Sequence, residues 1–205
     1  MYRLIATDLT KRFGPRKVFS KISFNLQTGD SLAVVGPNGS GKTTLLMTLL
    51  GAHQPTSGTV AFSENDANIS DDRRRMETSL VAPYLNLYDN LTGEENLTFF
   101  ATVSGSHVTG REINDLLARV GLEGRGDDLL RAYSSGMKQR LKYAVALLQN
   151  PAFLFLDEPT ANLDEAGKRI VFDIIEQSRK SRIIVIATNE PEEQKLAGAI
   201  CRVDG

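Results

Sequence analysis

The chain has 205 residues, with 24 Lys and Arg against 25 Asp and Glu and a formal net charge of −1. That length fits one domain, or one domain carrying a subdomain, and the even charge balance argues against nucleic acid as the main partner. A single cysteine, Cys201, excludes an internal disulfide and fits a reducing compartment. No apolar run approaches the length needed to cross a bilayer, so a soluble protein is expected, with any membrane role supplied through a partner.

Met1–Ile5 is too short for a signal-peptide core and reads as the start of a strand. Arg3–Leu9 and Lys17–Leu26 alternate in strand fashion, with turn residues at Gly14-Pro15 and Thr28-Gly29-Asp30, which predicts an antiparallel, β-rich entry. Ser31–Val35 is a short apolar run of buried-strand character. Thr43–Leu50 reads as a helix, with Gly51 placed to end it.

Between that strand and helix, Gly36-Pro37-Asn38-Gly39-Ser40-Gly41-Lys42-Thr43 fits G-x-x-x-x-G-K-[ST]. The motif describes a loop whose backbone amides cradle nucleotide phosphates. Gly36, Gly39 and Gly41 open backbone angles closed to other residues and let amides approach phosphate oxygens. The helix start adds its partial positive charge. Lys42 is expected on the β- and γ-phosphates and Thr43 on Mg²⁺. Pro37, Asn38, Ser40 and Thr44 complete the predicted nucleotide-contacting run.

Gln54–Gly58 is a turn and Thr59–Phe62 a short strand. Ser63–Ser70 is polar and is expected to be irregular, and Asp71-Asp72-Arg73-Arg74-Arg75 reads as a solvated charge run. Ser79–Val81 is a further strand, closed by Pro83. Thr92-x-x-Glu95 and Thr109-x-x-Glu112 each match the reciprocal capping box of a helix start. Leu97, Phe99, Phe100 and Val103 follow the first, and Ile113, Leu116, Leu117 and Val120 the second, at helical spacing. Gly105 and Gly121 supply stops. Residues 92–148 therefore read as a helical subdomain inserted into an α/β core of residues 1–91 and 149–205.

From Pro151 the α/β pattern returns. Phe153–Leu156 is a buried strand ending in Asp157-Glu158-Pro159. Asp164 is placed to cap a helix carrying Ile170, Val171, Ile174 and Ile175. Ile183–Ala187, Glu192–Leu196 and Ile200–Val203 read as strand, short helix and strand. The fold class expected is α/β: a P-loop core with a mixed, mainly parallel sheet, an N-terminal antiparallel β region and the inserted helices.

A carboxylate pair at the carboxyl end of a buried strand lies where ligands bind in open α/β sheets. Asp157 suits Mg²⁺, and Glu158 suits proton abstraction from an attacking water. Ser134-Ser135-Gly136-Met137 opens a helix whose Met137, Leu141, Ala144, Val145 and Leu148 share one face; a helix start of this kind is also an anion site. Each feature alone has a plain structural reading: a tight turn, solvent-facing carboxylates, an ordinary N-cap. Their value lies in combination.

In that combination the chain resembles the ATP-binding subunits of ABC transporters over essentially its full length. Gly36–Thr43 resembles Walker A, Ser134–Met137 the signature, Phe155–Glu158 Walker B and Ala161-Asn162-Leu163-Asp164 the D-loop. Phe13 falls at the aromatic position that stacks on adenine. The resemblance implies ATP and Mg²⁺ as cofactors and hydrolysis with Glu158 as the catalytic base. It also implies a head-to-tail pair of such domains, identical or different, sandwiching ATP between Walker A of one and the signature of the other. Membrane-spanning subunits are the implied further partners, with the protein peripheral on the cytoplasmic face. The short, minimal length is similar to that of haem-exporter ATPases.

Two positions depart from the family pattern. Pro83 or Tyr84 stands where a glutamine normally helps sense Mg²⁺ and the γ-phosphate. Asn189, in Thr188-Asn189-Glu190, stands at the switch-histidine position; asparagine can bond a phosphate oxygen but carries no charge and shuttles no proton. The signature also has Ser135 for glycine and Met137 for glutamine. An active ATPase, a slow regulatory module in an asymmetric pair, and a soluble ABC protein outside transport are the readings these features leave.

Overall fold

Two β-sheets organise the computed structural model, which describes residues 1–204; Gly205, the last residue of the expected core, lies outside the described residues. β1 (Tyr2–Phe13) and β2 (Arg16–Gln27) pair antiparallel. β3 (Ser31–Val35) and α1 (Lys42–Leu49) leave for the second sheet, and β4 (Ser57–Glu64) returns to pair with β1. With β5 (Ala67–Asn68) on its outer side, the first sheet has the order β2-β1-β4-β5.

The expectation of irregular chain over Ser63–Ser70 is overturned. β4 continues to Glu64, and Asn65 and Asp66, at φ 49° and 67°, make a two-residue turn into β5. Both residues tolerate the left-handed region that such hairpin turns demand. The charge run that follows is a helix, α2 (Asp71–Glu77), capped by the Ser70 side chain, which accepts from the Arg73 amide at 3.2 Å. Asp71 and Asp72 lie in its first turn and Arg74 and Arg75 in its last, the order that suits the helix dipole, and none of its residues is buried.

The second sheet contains β3, β6 (Thr78–Val81), β7 (Phe153–Asp157), β8 (Ile183–Thr188) and β9 (Ala199–Arg202), in the order β6-β7-β8-β3-β9, every pair parallel. The antiparallel pairing lies in the N-terminal sheet, as expected, and the sheet expected to be mixed and mainly parallel is parallel throughout. Both faces of the parallel sheet are covered, which is why its central strands carry unbroken apolar runs. Leu154, Leu156, Ile184 and Ile186 pack on the helical side. Phe153, Phe155, Ile183 and Val185 pack against Leu45, Leu46 and Leu49 of α1 and Leu4 and Leu9 of β1.

The helices are α3 (Gly93–Val103), α4 (Gly110–Arg119), α5 (Ser135–Leu147), α6 (Glu165–Arg179) and α7 (Pro191–Gln194). Both capping boxes form, at Thr92/Glu95 and Thr109/Glu112. The face of α3 differs from expectation: Phe99 and Val103 are 38 % and 69 % exposed, while Asn96, Leu97 and Ala101 are buried. Asn96 earns that place through its amide, accepting from the Tyr88 backbone N–H at 2.9 Å and donating to the Thr92 carbonyl at 2.8 Å. A buried amide with its bonds made is tolerated where a hydropathy pattern sees only a polar residue. Leu97, Leu117 and Leu141 of α3, α4 and α5 share one apolar cluster with β7 and β8, so the inserted helices and the sheet bury a common core.

Register positions the site. Val35 lies beside Thr188, and Asp157 beside Ala187. Gly36, Glu158 and Asn189 therefore leave the same edge of the sheet, at the carboxyl ends of its strands.

Candidate functional site

The phosphate loop turns between β3 and α1 where little but glycine fits. A side chain at Gly36 would run into the Val203 carbonyl, and one at Gly41, whose φ is 109°, into Val18. Lys42 is 6 % exposed, and its ammonium donates to the carbonyls of Gly36 at 2.9 Å and Pro37 at 3.1 Å. The loop is thus wrapped around a buried positive charge. Ser40 Oγ is buried with no hydrogen-bond partner among the described residues.

Thr43, in the first turn of α1, donates through Oγ1 to Asp157 Oδ2 at 2.7 Å. The Tyr84 hydroxyl donates to the same oxygen at 3.2 Å. Burial first, and then the Asp157 charge, push the Tyr84 phenol well above its ordinary pKa, so it stays a donor. Hydroxyl and carboxylate are hard oxygen donors that suit Mg²⁺, an ion that takes one or two protein ligands and completes its shell with phosphate and water.

Glu158 sits at φ 47°, with its N–H donating to the Ala187 carbonyl at 2.9 Å and its side chain exposed. It lines two cavities. One, of about 460 Å³, also touches Phe13, Asn38, Gly39, Gly41, Lys42, Thr43 and Thr44. The other, of about 360 Å³, is bounded by Asn38, Asn189, Glu190 and Lys168. Asn189 Nδ2 reaches Asn38 Oδ1 at 3.4 Å, joining the end of β8 to the phosphate loop. Phe13 is 50 % exposed, with the Lys11 ammonium 4.7 Å from its ring centre.

Ser134 caps α5, accepting from the Met137 amide at 3.2 Å, and Ser135, Gly136 and Met137 form the first turn. These residues line neither cavity. Ser135 instead borders a third, of about 310 Å³, with Asn162, Gln139 and Lys142. The structure therefore gathers Phe13, the phosphate loop, Asp157, Glu158 and Asn189 at one edge and leaves the α5 start apart from them.

Several contributors escape a reading of sequence. Arg16 adds a cation to the larger cavity. Glu193, 2 % exposed, accepts from the Thr160 N–H at 2.9 Å and from the Thr160 hydroxyl, fixing the turn just after Glu158. The fully buried Tyr143 donates to the Pro159 carbonyl at 2.9 Å. Lys142 donates to the Ala82 and Pro83 carbonyls at 3.1 and 2.7 Å. A pair of adjacent glutamates reads as surface until its partner, far away in the chain, is known.

A covered parallel sheet, a glycine loop feeding a helix and a strand-end carboxylate pair define the P-loop class of α/β fold. Residues 19–161 match the ABC transporter family, and the chain belongs to it. It is 40 % identical, over 88 % of its length, to the bacitracin transport ATP-binding protein of Bacillus licheniformis, and spans 58 % of that protein. It is 32 % identical, over 98 % of its length, to the Nod factor export ATP-binding protein I of Ralstonia nicotianae, spanning 64 % of it. A solved putative ABC transporter ATP-binding protein from Pyrococcus furiosus superposes with a TM-score of 0.85 at 25 % identity, covering 98 % of this chain and 97 % of that one. Among the described residues, no helix is long and apolar enough to cross a membrane.

Proposed function

We propose that this chain is the ATP-binding and ATP-hydrolysing motor subunit of an ABC transporter. The observation that carries the reading is the convergence of Lys42, Thr43, Asp157 and Glu158 at the carboxyl edge of β3 and β7. Lys42 and the loop amides bind the phosphates. Thr43 and Asp157 hold Mg²⁺, which when bound neutralises phosphate charge. Glu158 accepts a proton from the attacking water. Phe13 offers the free face of its ring to adenine, and Asn189 holds a phosphate oxygen as a neutral donor.

The separation of Ser134–Met137 from the phosphate loop supports a composite site completed by a second copy or a related subunit. The N-terminus of α5 then meets the γ-phosphate held by the partner, so closure depends on a group that hydrolysis removes. The helical region at residues 92–148 contacts membrane-spanning subunits on the cytoplasmic face. Phe99 and Val103, with Tyr88 just ahead of the region in sequence, are exposed and supply an apolar surface there. The name of one relative, Nod factor export ATP-binding protein I, supports export as the direction.

Size exclusion of Glu158→Gln with ATP and Mg²⁺ tests the reading, alone and with its membrane partner. A dimer that wild type forms only transiently is expected, with turnover lowered roughly 10²–10⁴-fold. A mutant that stays monomeric under both conditions overturns the sandwich. Equal, slow turnover in wild type and mutant would instead identify a regulatory nucleotide-binding module.

A further inference from the structure

Resting on the nucleotide reading above, we propose that Tyr84 is the positioning residue for the metal-binding carboxylate and that Lys142 ties it to the helix bearing the signature. In the family pattern a glutamine stands at this point of the chain, and the sequence offers only Pro83 and Tyr84. The structure shows what the substitution achieves. Tyr84 is 47 % exposed, so its ring is no core filler, yet its hydroxyl turns inward to Asp157 Oδ2 at 3.2 Å. Thr43 Oγ1 donates to that same oxygen at 2.7 Å.

Two donors on one carboxylate oxygen fix the rotation of the group. Asp157 is 2 % exposed, with little solvent to share that task. Its orientation toward Thr43, which decides whether hydroxyl and carboxylate present oxygens to one cation, is therefore set by the phenol as well as by the helix start. Partners of this outer kind commonly govern metal affinity although they bind no metal themselves.

What holds Tyr84 in place comes from another element. It follows β6 in a turn closed by the Leu85 N–H donating to the Ala82 carbonyl at 3.3 Å. Lys142, in the middle of α5, donates to the Ala82 and Pro83 carbonyls at 3.1 and 2.7 Å, the two residues before Tyr84. Ser134 and Ser135 begin the same helix. A displacement of α5 is thereby delivered to the turn and, through one phenol, to the metal carboxylate. The geometry makes metal binding at Asp157 sensitive to whether α5 is docked.

The test is Mn²⁺ binding to the full chain with a non-hydrolysable ATP analogue, followed by electron paramagnetic resonance, for wild type, Tyr84→Phe and Lys142→Met. Tyr84→Phe should weaken Mn²⁺ about 10–100-fold and leave the melting temperature and the affinity for the analogue in EDTA unchanged. Lys142→Met should shift the Mn²⁺ curve in the same direction. A Tyr84→Phe curve that overlays wild type while the analogue still binds overturns the proposal and leaves the nucleotide reading intact. Failure of wild type to bind the analogue, with or without metal, overturns both.

Discussion

Glu158→Gly is expected to make the protein more stable while removing its turnover. Glu158 is held at φ 47° with an exposed side chain, and its N–H bond to the Ala187 carbonyl belongs to the backbone. A non-glycine residue in the left-handed region carries roughly 1–2 kcal/mol of strain. Glycine relieves it at a conformational-entropy cost of about 0.5–1 kcal/mol. The net gain is about 0.5–1 kcal/mol, which for a domain of this size raises Tm by about 1–4 °C. Glu158→Gln is the control, since it removes the same charge and keeps the same strained backbone. The assay is differential scanning calorimetry of both variants without nucleotide. Glu158→Gly should melt above Glu158→Gln, and both should lose turnover by roughly 10²–10⁴. If the glycine variant melts at or below the glutamine variant, the positive φ is not a strained conformation kept for chemistry.

Lys42→Ala should weaken ATP binding by about 1.5–3 kcal/mol, the range for charge-assisted bonds to phosphate, measured by titration calorimetry; an unchanged affinity would remove Lys42 from the site. Glu193→Ala leaves the Thr160 N–H and hydroxyl without their acceptor in a buried turn and should destabilise the fold by about 2–3 kcal/mol in urea unfolding. A loss below about 0.5 kcal/mol would mean that the turn after Glu158 is held by other contacts.

The parts of the fold that depend on neighbours in sequence were legible. Strand periodicity, the two capping boxes, Asp164 as an N-cap and the strand–loop–helix around Gly36–Thr43 are local chemistry, and all appear in place. The misses share one cause. Phe99 and Val103 look like core residues because hydropathy ignores an asparagine with satisfied bonds, and Asn96 holds the buried position instead. Tyr84 and Asp157 lie 73 residues apart, and Glu193 and Thr160 lie 33 apart, so neither pairing leaves a spacing to read. The absent glutamine was visible; that a phenol reaches the same carboxylate depends on how β6 and β7 align, Val81 beside Leu156.

The strand order bears on how the protein is made. β1, β2 and β4 can close their antiparallel sheet once the chain has reached Glu64. β3, which delivers the phosphate loop, lies between β8 and β9, and Ser31 pairs with Ile184. During synthesis its N–H and C=O edges wait, unpaired, until β8 and β9 have left the ribosome, because contacts this distant in sequence form late. A nascent chain arrested before Ile183 would hold an intact N-terminal sheet and an unassembled phosphate loop. Loss of β9 therefore threatens the phosphate loop, an element made far earlier in the chain.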